Sequence, residues 1–196
     1  PDLFPEPQRF LDDIHELGLK TALNLHPASA VYPHEAQYPE MAQRMGVDPE
    51  SQEPIPFDIA SPAFTDAYLE ILHHPLEKMG VDFWWLDWQQ GTKTSIAGLD
   101  PLFWLNHIHF YDRGRDGTKR PFIFSRWGGL GSQRYPIGFS GDTFATWDTL
   151  QFQPYFTATA ANTAYGGTVR LRRIALNRGN WPTFGRLRLV QGVRLS

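Results

Sequence analysis

Apolar positions along residues 1–166 follow two alternating patterns, one with helical spacing and one of short continuous runs. From Pro5 to Leu17, Phe10, Leu11, Ile14 and Leu17 recur at helical spacing; Pro5 and Pro7 stand at the start and Gly18 at the stop, which predicts a helix. Leu19–Leu25 then reads as a strand ending at His26-Pro27, followed by a short helix around Glu35–Arg44. A Pro-punctuated connection, Pro54–Pro62, leads to a second long helix, Phe64–Met79, closed by Gly80. Val81–Leu86 is almost continuously apolar, as in a strand buried on both faces, and ends on Asp87. A helix from Asp100-Pro101 to about Tyr111 follows. Pro121–Phe124 predicts a strand ending on Ser125-Arg126, and after a glycine-rich loop Ile137–Ser140 predicts another, ending at Gly141-Asp142. A helix from about Trp147 to Ala164 completes the run. Four strands, each followed by a helix or long connection, predict a parallel α/β architecture with crossover helices, of which a (β/α)8 TIM-type barrel, here partial with about four βα units, is one version.

In such a barrel the chemically active groups stand at the C-terminal ends of the strands. Those ends are His26, Asp87, Arg126 and Asp142. A carboxylate directly after a buried strand is costly unless the strand end opens into a cleft, and Trp84, Trp85 and Trp88 could wall one beside Asp87. Taken singly, Asp87 and Asp142 are equally well explained as helix caps or loop aspartates. As a pair, expected at the C-terminal mouth of neighbouring parallel strands and facing one cleft, they match what glycosidic cleavage demands. One ionised carboxylate meets positive charge at the anomeric carbon, and one protonated carboxyl gives its proton to the leaving oxygen. Arg126 is available to hold the ionised member or to bind substrate hydroxyls, and a structural ion pair is its alternative role.

Charge divides the chain. Residues 1–167 carry eleven Lys and Arg against twenty-one Asp and Glu, whereas 168–196 carry seven Arg and no acid. The acidic body argues against a nucleic-acid partner, and no run approaches the roughly 18 apolar residues of a membrane span. There is no Cys, which removes disulfides and thiolate metal sites. His73-His74 and His107-x-His109 fall within predicted helices, where residues two apart do not share a face. No metal and no cofactor is therefore expected. Compartment and oligomeric state have no signature in the sequence.

The segment Trp85-Leu86-Asp87-Trp88-Gln89-Gln90-Gly91 resembles the nucleophile motif of glycoside hydrolase family 31, usually Trp-x-Asp-Met-Asn-Glu. Ser125-Arg126-Trp127-Gly128-Gly129 through Phe139-Ser140-Gly141-Asp142-Thr143 resembles the family's second signature, and the spacing of 55 positions from Asp87 to Asp142 fits it. The resemblance spans roughly residues 1–166. It implies a retaining α-glycoside hydrolase of α-glucosidase or α-xylosidase type acting on an oligosaccharide or other α-glycoside. It also implies Asp87 as nucleophile, Asp142 as acid/base, and Arg126, Trp85 and Phe139 around the sugar; Trp88 and His26 are further candidates for lining the cleft.

The pattern departs from the family in three places. Trp88-Gln89-Gln90 replaces Met-Asn-Glu, the family's first barrel strands would precede Pro1, and Gly167–Arg173 stands where a Trp-Ser-His-Asp stretch is expected. The chain is accordingly divided into a partial barrel, 1–167, and a basic tail, 168–196, that reads as a frameshift, a fusion scar or a truncation, with a genuine basic tail as the alternative, and is expected to pack poorly. Two other functions compete: a sugar-binding fragment without turnover, and a metal-dependent barrel hydrolase.

Overall fold

The computed structural model describes residues 4–87, 91, 94–126, 131–135, 137–139, 142 and 144–160. The elements run α1 (Pro7–Glu16), β1 (Ala22–Leu25), α2 (Tyr38–Met45), α3 (Pro62–Ala67), a π-helical segment (Tyr68–His73), α4 (His74–Met79), β2 (Phe83–Leu86), α5 (Pro101–Asp112), β3 (Phe124–Arg126), β4 (Ile137–Phe139) and α6 (Trp147–Ala160). The four strands form one parallel sheet in the order β1-β2-β3-β4. This is the predicted α/β arrangement, with strand order following chain order. Trp88, Ser140 and the tail 168–196, including its predicted loose packing, lie outside the described residues.

Local chemistry accounts for the element ends. α1 starts with Pro7 in its first turn, and Gly18, at φ 71°, accepts the left-handed turn that lets its N–H reach the His15 carbonyl at 2.8 Å. Ser61 and Asp100 cap α3 and α5 by accepting the Phe64 and Phe103 amides at 3.4 and 2.8 Å. Gly80 has φ 130°, and a Cβ there would lie 3.2 Å from the His15 ring, so glycine lets α1 pack against the approach to β2.

The predicted helix Phe64–Met79 is three segments in one continuous run. Between α3 and α4 the backbone widens, and the His74 N–H reaches the Leu69 carbonyl five residues back. Pro75, which has no N–H to give, follows at once. β3 also starts later than predicted: it pairs from Phe124 onward and takes in Arg126 itself.

The core lies between one face of the sheet and the helices. Trp84 and Leu86 are fully buried there with Tyr68, Met41, Ile55, Ile59, Leu105 and Ile123. Tyr68, His73, Trp84 and His109 form a packed ring cluster, with the Tyr68 hydroxyl 3.0 Å from His109 Nε2 and His73 Nδ1 2.8 Å from the Tyr68 carbonyl. The apolar stripe of α1 is only partly covered: Leu11 is buried, while Phe10 and Leu17 are exposed.

Candidate active site

Side chains alternate across a strand, so the residues between the core positions face the other side of the sheet. In register these are Asn24, Trp85 and Phe124, followed one step on by Asp87, Arg126 and Phe139. Trp85 stacks on Phe124 with ring centroids 3.9 Å apart, and Phe139 meets both edge-on at 5.0 and 5.8 Å. The three rings make an aromatic floor at the C-terminal end of the sheet. The charged groups stand above it.

Arg126 organises them. Its Nε donates to Asp87 Oδ1 at 2.6 Å and its Nη2 to Asp142 Oδ2 at 3.0 Å, while its guanidinium carbon lies 4.9 Å from the Phe139 ring centre and 6.0 Å from that of Trp85. Partial burial opposes the charge of Arg126, but the two carboxylates outweigh it and hold the guanidinium above the usual arginine range. One cation thus joins both candidate aspartates. The two sit on next-but-one strands: Asp87 follows β2, Asp142 follows β4, and β3 runs between them carrying Arg126. An expectation of neighbouring strands is corrected by this order, and the intervening strand is what supplies the bridging arginine.

The carboxylates differ in setting. The Asp87 side chain is 14% exposed and that of Asp142 is 73% exposed. Asp87 Oδ2 also accepts from Asn24 Nδ2 at 3.0 Å and lies 3.2 Å from His26 Nε2, and the Asp87 amide extends the β1–β2 pairing by donating to the Leu25 carbonyl at 3.2 Å. The structure therefore brings together Asp87, Asp142, Arg126, Trp85, Phe139 and His26. Asn24 belongs with them and was missed in the sequence; the available signal was a polar residue between Leu23 and Leu25 in an otherwise apolar strand.

The histidines singled out in the sequence are spent on helix packing. His107 Nδ1 lies 3.0 Å from the Tyr135 hydroxyl, and His109 is in the core against Tyr68, so the two serve different faces of α5. Among the described residues, His74, Glu77 and Asp112 lie close enough to share a metal ion. Arg115 already pairs with Glu77 at 2.7 Å and with Asp112 at 3.0 Å, and Arg113 pairs with Glu77 as well. Two guanidinium groups neutralise this cluster and leave it little attraction for a cation.

With a parallel sheet, an aromatic floor and two aspartates beyond the strand ends, the architecture among the described residues is that of a parallel α/β domain. The family model for the glycosyl hydrolases family 31 TIM-barrel domain matches residues 1–167, and the chain belongs to that family.

Proposed function

We propose that the chain supplies the catalytic centre of a retaining α-glycosidase, of α-glucosidase or α-xylosidase type, with Asp87 as nucleophile and Asp142 as acid/base. The observation that carries this reading is the single guanidinium bonded to both carboxylates above an aromatic floor. Asp87, little exposed and held by several donors, suits the member that stays ionised and attacks the anomeric carbon. As that bond forms, the bond to the leaving oxygen breaks and the oxygen takes the proton of Asp142. Water then enters, returns a proton to Asp142, and releases the sugar from Asp87 with its configuration retained. In the resting arrangement Arg126 holds Asp142 by one hydrogen bond. The arriving sugar must loosen that contact, and the exposed position of Asp142 leaves it room to move. Trp85 and Phe139, both buried, give the site an apolar base beneath a sugar, and Arg126, with His26 at the rim, offers donors to its hydroxyls.

The test compares Asp87→Ala and Asp142→Ala on a natural α-glycoside and on one with an activated aryl or fluoride leaving group. Asp87→Ala should lose turnover of both. In the glycosylation step Asp142→Ala should lose about 10²–10⁴-fold on the natural substrate and little on the activated one, because an acid catalyst matters there only while the departing oxygen needs a proton. Equal losses on both substrates in the glycosylation step would overturn the assignment of Asp142. Saturable sugar binding by the wild-type chain with no turnover of either substrate would favour a non-catalytic binding role.

A further inference from the structure

A nucleophilic carboxylate must present one oxygen along a fixed line, yet its terminal torsion is soft and nearly two-fold. A donor on one oxygen alone leaves the carboxylate plane free to turn; donors on both oxygens define it. At Asp87, Oδ1 is held by Arg126 and Oδ2 by Asn24, with His26 3.2 Å from Oδ2. These three partners are not equivalent. Arg126 is shared with Asp142, so its contact changes as the acid/base gains and loses its proton. His26 has a half-exposed side chain on the turn after β1, and its ring nitrogen donates or accepts according to tautomer. Asn24 comes from the interior of β1, where its backbone is fixed in register opposite Trp85. An ionised carboxylate only accepts, so the Asn24 amide must turn its NH2 toward Asp87, and that donor is the same at every working pH.

We propose that Asn24 is the positioning residue for the nucleophile: from the neighbouring strand its amide holds Oδ2 while Arg126 holds Oδ1, and the two donors together fix the plane of the Asp87 carboxylate. This rests on the reading of Asp87 as nucleophile. A neutral amide suits the role, because it can stay bonded when Asp87 passes from anion to glycosyl ester. The fixed charge of Arg126 loses most of its attraction at that moment.

The experiment follows the Asp87 carboxyl directly, by carbon NMR of the chain carrying 13C-labelled aspartate, with the Asp87 signal assigned from its disappearance in Asp87→Asn. Asn24→Ala removes a donor to the charged form, so the Asp87 titration midpoint should rise by about half to one pH unit. Asn24→Asp, close in shape but with a carboxylate in place of the donor, should raise it further. Midpoints that stay at the wild-type value in both variants would overturn the proposal, and a residue that merely braced the strand would change the melting temperature without moving them. Circular dichroism identifies an unfolded variant, and the near-isosteric Asn24→Asp keeps the test open if Asn24→Ala does not fold. Turnover by Asp87→Ala is scored separately. If that variant keeps activity, the nucleophile reading fails whatever the titrations show; if it is inactive and the midpoints do not move, only the role of Asn24 fails.

Discussion

Strand β2 has an aspartate at each end, and the two are surrounded by nearly the same kinds of residue. Asp82, just before the strand, lies 2.7 Å from His15 Nε2 and accepts from Lys20 at 2.9 Å; Asp87, just after it, has His26 and Arg126. The difference is in the remaining donors. Asp82 also takes the Thr21 backbone amide at 2.9 Å, a partner that cannot leave without breaking the chain path into β1. Burial alone would raise its pKa, but the Thr21 amide, Lys20 and His15 more than offset this and hold it below the usual aspartate range. The side-chain oxygens of Asp87 take their described contacts from side chains alone, and it shares its cation with a second, exposed carboxylate. A carboxylate tied to backbone secures a fold; one tied to movable side chains, with another carboxylate in reach, is equipped for chemistry. This matches the general division of labour between the two ends of a barrel.

The strongest challenge to that contrast is a pair of substitutions. Asp87→Ala should abolish turnover while leaving the chain folded. Asp82→Asn should keep the turnover per folded molecule and lower stability by about 1.5–3 kcal/mol, the usual worth of hydrogen bonds to a charged group. Urea melts read beside activity separate the two, and a stable but inactive Asp82→Asn would erase the distinction.

Acid should expose a third region, the core, before Asp82 is protonated. Burial lowers His73 from 6.5 to about 4, against weaker opposition from the Tyr68 carbonyl and Glu77, and drives His109 well below its ordinary value. In the unfolded chain both bind protons as pH falls below about 6.5; in the folded chain they resist. Stability is therefore complete above that pH and declines toward about 4, His73 alone accounting for on the order of 3 kcal/mol at about 1.4 per unit. The contributions of Asp82 and Glu77, whose values are lowered, persist until pH drops through the carboxylate range. Thermal melts between pH 7.5 and 4 check the order, and His73→Gln should flatten the upper part of the decline.

The smallest expected effect belongs to Lys20. Its pair with Asp82 is half open to solvent, so Lys20→Ala should cost no more than about 1 kcal/mol, and less in high salt. A larger loss would mean that the cation, and not the Thr21 amide, is what anchors this end of the strand.

The strands were legible because parallel strands covered by helices need continuous apolar runs, and Val81–Leu86 is one; their order was not. Asp87, Arg126 and Asp142 could be found for the same reason, each at or just beyond the end of a run. The bridging by Arg126 could not, since it depends on which face of β3 the guanidinium leaves. Asn24 escaped notice because its partner is 63 residues away on another strand. His73 and His109 read as helical positions of no particular depth, because nothing in their spacing reveals the hydroxyl and carbonyl of Tyr68 that accommodate them. The wide turn within the long helix was equally hidden, since its hydrogen bonds skip a residue without any change in the apolar pattern.

That wide turn affects how the chain tolerates a change of length. A residue in π geometry turns through less of a circle than one in α geometry, and over Tyr68–His73 the shortfall amounts to about one residue's rotation. Removing one residue from this segment would let the helix tighten to regular winding while Phe64 on one side and Glu77 on the other kept their present directions. Glu77 would still face Trp84 Nε1, which it now meets at 2.8 Å. The same deletion in α5 would rotate everything after it by about 100° and carry His109 away from Tyr68. Loops are the usual place for a chain to gain or lose a residue, yet here a helix against the core has slack for one.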